Sequence, residues 1–174
     1  MTRILLVGFM AAGKTTLGKA LARDLGLQFI DLDHYIENRY RCTVSQLFAE
    51  RGEEAFRQIE RNLLHEVAEF EDVVISTGGG TPCFFDNMEY MNAQGTTVFL
   101  DAAADVIHTR LTIARMQRPL VKGKTAEELR QYITDMLSRR LPYYTQASHT
   151  FCADYLEDNS QVARSVERFK EEIL

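Results

Sequence analysis

The sequence predicts an α/β protein whose parallel sheet is covered by helices on both faces. Short apolar runs alternate with helical stretches along the chain. A glycine-rich loop joins the first apolar run to the first helix. The length of 174 residues, with 45% hydrophobic and 26% charged residues, suits one domain with a full-sized core. Because alternating strands and helices form parallel sheets with right-handed crossovers, we expect that arrangement here.

Five short segments are predicted as strands, and the last of them is the weakest. They cover residues 4–7, 29–30, 73–75, 97–100 and 149–153. Short continuous apolar runs are typical of strands that are buried on both faces of a parallel sheet. We therefore expect these segments to form the centre of the fold.

The helical stretches lie between and after these strands. They cover residues 14–22, 34–40, 43–51, 53–70, 86–94, 105–115, 125–141 and 160–174. Thr43 and Thr125 each begin a capping box, which marks a helix N-terminus. Gly26 and Gly95 are predicted to end the helices before them. Residues 115–124 are polar and basic and contain Pro119 and Gly123, so we expect a mobile loop there.

The segment from Gly8 to Thr15 fits the pattern G-x-x-x-x-G-K-[ST] of a phosphate-binding loop. The glycines allow backbone N–H groups to surround phosphate oxygens, and the helix N-terminus adds a positive dipole end. Lys14 can reach the β- and γ-phosphates of a nucleotide, and the Thr15 hydroxyl can hold Mg²⁺. A chance match in a turn is the alternative, but a strand before the loop and a helix after it favour the phosphate site.

Polar residues follow two further strands. Asp31 and Asp33 come after the second strand, and the triplet Gly78-Gly79-Gly80 follows the third. Because ligands of open parallel sheets bind at the carboxyl ends of the strands, these residues are expected to meet the phosphate loop. The carboxylates suit Mg²⁺ positioning and contact with an acceptor hydroxyl, or alternatively they cap a helix. The glycines suit a substrate lying against the backbone, or alternatively a tight turn.

Three arginines stand in positions that suit phosphoryl transfer to a carboxylated acceptor. Arg57 lies on the long helix, Arg118 in the loop before Pro119, and Arg140 before Leu141-Pro142-Tyr143. Phosphoryl transfer needs a cation over the transferring group, and a carboxylate is well bound by the fork of an arginine. Each arginine alone could equally be a solvated or helix-capping charge.

The composition argues against several other classes of protein. A net charge of −5 and a pI of about 5.4 argue against a nucleic-acid surface. No apolar run is long enough to span a membrane, and the first strand begins too early for a signal peptide. Three widely spaced cysteines indicate neither a disulfide framework nor a zinc site. We therefore expect a cytoplasmic protein with no nucleic-acid or membrane partner.

Six motifs, in this order and spacing, give the chain a resemblance to shikimate kinases over nearly its whole length. They are Gly8-Phe9-Met10-x-x-Gly13-Lys14-Thr15, Asp31-Leu32-Asp33, Phe56-Arg57-x-x-Glu60, Gly78-Gly79-Gly80, Arg118-Pro119-Leu120 and Arg140-Leu141-Pro142-Tyr143. The resemblance implies a P-loop NTPase of the nucleoside-monophosphate-kinase type, with a five-stranded parallel sheet in the order 2-3-1-4-5. It also implies one domain over residues 1–174, with a substrate-binding subdomain at about 33–61 and a lid at about 115–124.

The resemblance further implies the reaction, the ligands and a monomeric state. The reaction is the ATP-dependent phosphorylation of the 3-hydroxyl of shikimate, on the route to chorismate and aromatic amino acids. ATP phosphates would lie on Ala11, Ala12, Gly13, Lys14, Thr15 and Thr16. Shikimate would contact Asp33, Arg57, Gly78, Gly79, Gly80 and Arg140. Mg²⁺ would be held by Thr15 directly and by Asp31 through water. Lys14, Asp33 and Arg118 would be the catalytic residues, with Arg118 reaching the phosphates from the lid.

The chain departs from the family pattern around the nucleotide. Ala11-Ala12 replaces the Gly-Ser of many members, although small side chains still leave the backbone free. The arginine near the adenine could be Arg110 or Arg115. The segment 155–158 lacks the arginine that many members place against the base, which leaves nucleotide selectivity open. The other readings are a related small-metabolite kinase, such as a gluconate kinase, and a nucleotide-binding module without transfer activity.

Overall fold

The computed structural model describes residues 1–115 and 123–174. The elements, in chain order, are β1 (Arg3–Val7), α1 (Lys14–Leu25), β2 (Gln28–Asp31), α2 (Leu32–Tyr40), α3 (Val44–Ala68), β3 (Val73–Ser76), a 3₁₀ turn (Thr81–Cys83), α4 (Asn87–Gln94), β4 (Thr96–Asp101), α5 (Ala104–Arg115), α6 (Ala126–Tyr144), β5 (His149–Cys152) and α7 (Asn159–Ile173). Each predicted strand is present, and each differs from its predicted bounds by no more than two residues at either end.

The five strands form one parallel sheet in the order β2-β3-β1-β4-β5, which confirms the expected fold. The central strand β1 is buried on both faces, since residues 4–7 are fully inaccessible to solvent. Ser76 of β3 lies in register with both Leu6 of β1 and Asp31 of β2. The loops after these three strands therefore begin at the same edge of the sheet.

Helix α3 is divided by Gly52, whose backbone is not helical (φ 83°, ψ 168°). The two helices predicted on either side of this glycine are thus confirmed as two helical segments of one element. A capping box at Thr43 begins the first segment, as predicted. The second segment ends at Ala68 rather than at Phe70, because the chain turns at Glu69 towards β3.

Helix α6 extends further than predicted. We expected its end near Leu141, but it continues through Pro142 to Tyr144. Proline is tolerated there because it lies in the last helical turn, and the carbonyl that loses its partner belongs to the exposed Ser138. This extension has a consequence for the site, because Tyr144 lies on the same helix as Arg140.

Most of the segment predicted as a lid lies outside the described residues, which omit 116–122. Arg118 belongs to that omitted part, as does Pro119. In the part of the chain that is described, no helix has both the length and the apolar character needed to cross a lipid bilayer.

Candidate active site

The glycine-rich loop after β1 surrounds the side chain of Lys14. Gly8 and Gly13 have positive φ angles of 149° and 102°, and a Cβ at Gly8 would lie 2.8 Å from the carbonyl oxygen of Leu100. The Lys14 ammonium donates to the carbonyl oxygens of Gly8 (2.6 Å) and Phe9 (2.8 Å). Burial lowers the pKa of Lys14 to about 8, against the opposing effect of nearby carboxylates. The loop therefore holds a buried amine at the N-terminus of α1.

Asp31 has two roles, one for each carboxylate oxygen. Its Oδ1 accepts from the backbone N–H of His34, so the helix-cap alternative holds for this residue. Its Oδ2 accepts from the Thr15 hydroxyl at 3.2 Å. The Thr15 hydroxyl oxygen and Oδ2 of Asp31, both potential metal ligands, therefore lie together on the exposed side of the loop. Mg²⁺ prefers oxygen ligands and keeps several waters, so this pair fits a magnesium site completed by phosphate and water.

Asp33 lies in the first turn of α2 and is not the cap of that helix. Its Oδ1 is 3.1 Å from the position that a Cβ of Gly78 would occupy. Burial, together with the negative charges of Glu60 and Asp31, raises the pKa of the Asp33 carboxyl to about 6, while Lys14 acts in the opposite direction. Asp33 is thus a carboxylate with an unusually high proton affinity, directed towards the glycine triplet.

The glycine triplet meets four separate parts of the chain, namely α2 through Asp33, the phosphate loop, α3 and α6. None of its members has a positive φ, so these positions require space rather than backbone freedom. A Cβ at Gly79 would lie 3.0 Å from Nη1 of Arg140 and 3.4 Å from the backbone nitrogen of Met10. A Cβ at Gly80 would lie 2.7 Å from Nη2 of Arg57. A tight turn alone does not account for such close approaches on three consecutive residues.

Arg57 is held by its own helix and is not a solvated charge. Its side chain is only 12% exposed, and Nη1 donates to Glu60 at 2.9 Å. The guanidinium lies over the Phe84 ring at 4.2 Å. Glu60 is buried as well and uses its second oxygen to accept from the Thr81 hydroxyl at 2.9 Å. The carboxylate of Glu60 therefore fixes the orientation of Arg57 against the end of the triplet.

Arg140 is placed differently. It is half-buried on α6, and its guanidinium lies 5.6 Å from the centre of the Phe9 ring. Within residues 1–115 and 123–174 it forms no ion pair, whereas Arg57 pairs with Glu60. The charge of Arg140 is thus available to an anion that enters between the phosphate loop and the triplet.

Sequence reasoning overlooked Tyr144. The motif ending in Tyr143 drew attention to that residue, but Tyr143 is 39% exposed. Tyr144 is fully buried, and its hydroxyl donates to the Gly79 carbonyl at 2.5 Å. Tyr144 follows Arg140 by four residues, but this spacing places it on the same helix face only because α6 continues past its predicted end at Leu141.

Arg110 was considered only for contact with adenine, but it is tied to the phosphate loop. Its guanidinium donates to the carbonyl oxygens of Ala11 and Ala12 (both 3.2 Å), to Ala153 (2.8 Å) and to the Glu157 carboxylate (2.7 Å). Its contacts join the phosphate loop to the segment after β5. The acidic residues of that segment, which replace the family's arginine, therefore include the ion-pair partner of Arg110.

Comparisons with known proteins agree with this geometry. A family model described as "Shikimate kinase" matches residues 10–171. A shikimate kinase of Bacteroides fragilis is 60% identical over 170 residues, which are 98% of this chain and 95% of the relative. A shikimate kinase of Trichormus variabilis is 35% identical over 161 residues, or 92% of this chain and 86% of that protein.

Solved structures give the same result. The crystal structure of shikimate kinase from Bacteroides thetaiotaomicron has a TM-score of 0.93 and 57% identity, and the match covers 98% of this chain and 96% of that one. Shikimate kinase from Acinetobacter baumannii in complex with shikimate has a TM-score of 0.83 and 31% identity, covering 98% and 92%. Since the family model spans nearly the whole chain and relatives above 30% identity are covered almost end to end, this chain belongs to the shikimate kinase family.

Proposed function

We propose that this chain transfers the γ-phosphoryl group of ATP to the 3-hydroxyl of shikimate at the edge formed by β1, β2 and β3. The observation that carries the proposal is the convergence of Asp33, Arg57 and Arg140 on the glycine triplet, beside the phosphate loop. The A. baumannii relative solved with shikimate supports this acceptor.

On the nucleotide side, the backbone N–H groups of residues 11–16 and the α1 N-terminus bind the phosphates. The Lys14 ammonium exchanges the carbonyls of Gly8 and Phe9 for the β- and γ-phosphates. Arg118 adds a second cation from the predicted lid and stabilises the negative charge on the transferring group. These residues position the phosphates for in-line transfer of the γ-phosphoryl group.

Thr15 of α1 and Asp31 at the end of β2 are the residues that would hold Mg²⁺, because their oxygens already lie 3.2 Å apart. The ion, when bound, neutralises charge on the phosphate oxygens. Asp31 remains oriented by its cap bond to His34, so the carboxylate needs little rearrangement to serve the metal.

On the acceptor side, the carboxylate of shikimate lies against Arg57 and Arg140, which can grip it by paired N–H contacts. The 3-hydroxyl lies at Asp33, whose carboxylate orients it. The hydroxyl oxygen forms the new bond to γ-phosphorus as the bond to the bridging oxygen of ADP breaks, and the hydroxyl proton passes to Asp33. The raised pKa of Asp33 favours acceptance of that proton.

The proposal extends to the setting of the enzyme. Cys42, Cys83 and Cys152 are free thiols, which suits a reducing cytoplasm. We propose a monomer that uses Mg²⁺·ATP and shikimate and has no nucleic-acid or membrane partner. The route to chorismate and aromatic amino acids is the proposed metabolic place of the product.

The test measures ADP release with ATP alone, with shikimate, and with gluconate. We expect release that depends on shikimate and is absent with gluconate. A gluconate kinase would release ADP with gluconate and not with shikimate. A nucleotide-binding module would not release ADP with either acceptor.

The role of Arg140 has its own control in the neighbouring Arg139, which is exposed. Truncating one partner of a desolvated charge pair costs about 2–5 kcal/mol, or roughly 30-fold or more in affinity. Arg140→Ala should therefore raise the shikimate KM by about that factor with little change for ATP, whereas Arg139→Ala should resemble the wild type. Replacing the carboxylate of shikimate by a neutral amide should weaken binding strongly in wild type. The same replacement should weaken binding less in Arg140→Ala. An equal amide penalty in both proteins would contradict the assignment.

A further inference from the structure

We infer that Tyr144 is a positioning residue for shikimate, acting by fixing the peptide between Gly79 and Gly80 against the helix that carries Arg140. The inference rests on the proposed function of the same site. Tyr144 touches neither substrate in this scheme, since its hydroxyl is already used by the Gly79 carbonyl.

The tyrosine itself is rigidly placed. It is fully buried, and its ring stacks on Phe99 of β4 with centroids 5.2 Å apart and an interplanar angle of 26°. Burial raises the pKa of the Tyr144 phenol, with Arg140 opposing the shift, so the hydroxyl stays a proton donor at any physiological pH. The Tyr144 hydroxyl, fixed by the stacking on β4 and by the backbone of α6, therefore donates to the glycine triplet.

The peptide whose carbonyl accepts this bond contains the Gly80 N–H, and the preceding peptide contains the Gly79 N–H. Among the described residues, neither N–H donates to a protein acceptor. In a trans peptide the carbonyl and the following N–H point in opposite directions, so a bond to the Gly79 carbonyl sets the direction of the Gly80 N–H. A hydrogen bond accepted by a carbonyl also strengthens the N–H donor of the same peptide.

The same contact ties Arg140 to the triplet. Arg140 and Tyr144 are one helical turn apart on α6, and both reach Gly79. The Met10 nitrogen of the phosphate loop approaches Gly79 as well. If the tyrosine bond is removed, the helix turn and the triplet can shift relative to each other, and the acceptor site loses its fixed width while the phosphate loop remains intact.

The experiment compares Tyr144→Phe with Tyr143→Phe, which is the same change one residue earlier on a half-exposed ring. Leaving a buried carbonyl without its donor should raise the shikimate KM about tenfold, while kcat and the ATP KM stay within about twofold. Tyr143→Phe should match the wild type in all three constants. A tyrosine with only a structural role would lower the melting temperature without this separation of the two KM values.

A second measurement follows hydrogen exchange in peptides covering residues 77–84 without ligand. Exchange should be faster in Tyr144→Phe than in wild type, and saturating shikimate should restore protection. Unchanged exchange, or an unchanged shikimate KM in the folded variant, would overturn the inference. If wild type itself fails to phosphorylate shikimate, the proposed function fails first, so the two outcomes are distinguishable.

Discussion

At the residue scale, Lys14 has the sharpest expected effect. Its ammonium occupies the centre of the phosphate loop, and we propose that it neutralises charge there during transfer. Removing one such donor costs about 10²–10³ in rate or more. Lys14→Met should therefore lose turnover by at least that factor, measured as shikimate-dependent ADP release. Its circular dichroism spectrum should show that it remains folded. Lys19→Met provides the control, because Lys19 is an exposed lysine on the same helix. Comparable losses in both variants would contradict the role of Lys14.

Asp33 should show opposite effects on activity and stability. Its folded pKa of about 6 exceeds the ordinary value of 3.8, so the folded protein binds this proton more tightly than the unfolded chain does. The ionisation of Asp33 therefore contributes a loss of stability as pH rises from about 4 through about 6, and Asp33→Asn lacks this contribution.

Asp33→Asn should consequently lose activity yet melt at a higher temperature than wild type at about pH 8, in chelator-treated protein without ligands. The difference in melting temperature should vanish near pH 4. Asp135→Asn, on the exposed side of α6, should change neither quantity. If Asp33→Asn is less stable than wild type at about pH 8, the ionised Asp33 carboxylate does not destabilise the folded protein.

Local spacing predicted most residues of the proposed site but not the residues that support them. Lys14 and Thr15 were predicted because the phosphate loop is a continuous string with a mechanism for each residue. Tyr144 was missed because its role depends on a carbonyl 65 positions earlier in the chain. Arg110 was placed near the nucleotide, but its bonds to carbonyls 98 and 99 positions away could not be read from the sequence.

At the element scale, the break in α3 depends on the backbone of Gly52. Its φ of 83° and ψ of 168° lie in a region that is essentially restricted to glycine. Gly26 has φ 68° and ψ 30°, which other residues adopt at a smaller cost. A Cβ at either position would meet no atom within 4 Å, so only backbone strain distinguishes them.

Gly52→Ala should thus destabilise the protein by about 1–3 kcal/mol in urea unfolding. Gly26→Ala is the matched control and should cost less, on the order of 1 kcal/mol. Equal losses would mean that the break in α3 relaxes into a continuous helix when alanine is present.

Helix starts were predicted well where a capping box marks them, whereas the end of α6 was not. Thr43 and Thr125 begin their helices by capping boxes, as expected. The end of α6 was expected near Leu141, but Pro142 removes only one hydrogen bond in the final turn, and the burial of Tyr144 outweighs that loss. Tertiary packing decided this boundary, and no local pattern reports it.

At the scale of the whole molecule, a core substitution in α7 can show whether stability changes without a change in activity. Phe169 is fully buried and packs on Phe151 of β5 with ring centroids 5.3 Å apart. Phe169→Ala should lower the free energy of unfolding by about 3–5 kcal/mol. At a temperature where the variant is folded, kcat/KM should match the wild type, because α7 contributes none of the proposed site residues.

The control for this change is Leu174→Ala, at a side chain that is 58% exposed. Its cost should stay within about 0.5 kcal/mol. A loss of kcat/KM in folded Phe169→Ala would show that α7 supports the site through α1, against which it packs.

The strand order came from the family resemblance, since alternation of strands and helices predicts a parallel sheet without saying which strands are neighbours. The apolar runs did predict the strands themselves, because a strand buried on both faces must be apolar throughout. Residues 116–122, which include Arg118, lie outside the described part of the chain, and their proposed role as a lid stays a prediction.

The central place of β1 also has a consequence for biosynthesis. The ribosome delivers β1 before either of the strands that flank it, because Arg3 pairs with Val73 and Ile4 with Thr96. The apolar segment Ile4-Leu5-Leu6-Val7 must therefore leave the exit tunnel and wait, without either neighbour, while most of the first hundred residues are translated. During that interval it is an unpaired hydrophobic strand on a nascent chain, which is the form that aggregates or is retained by chaperones.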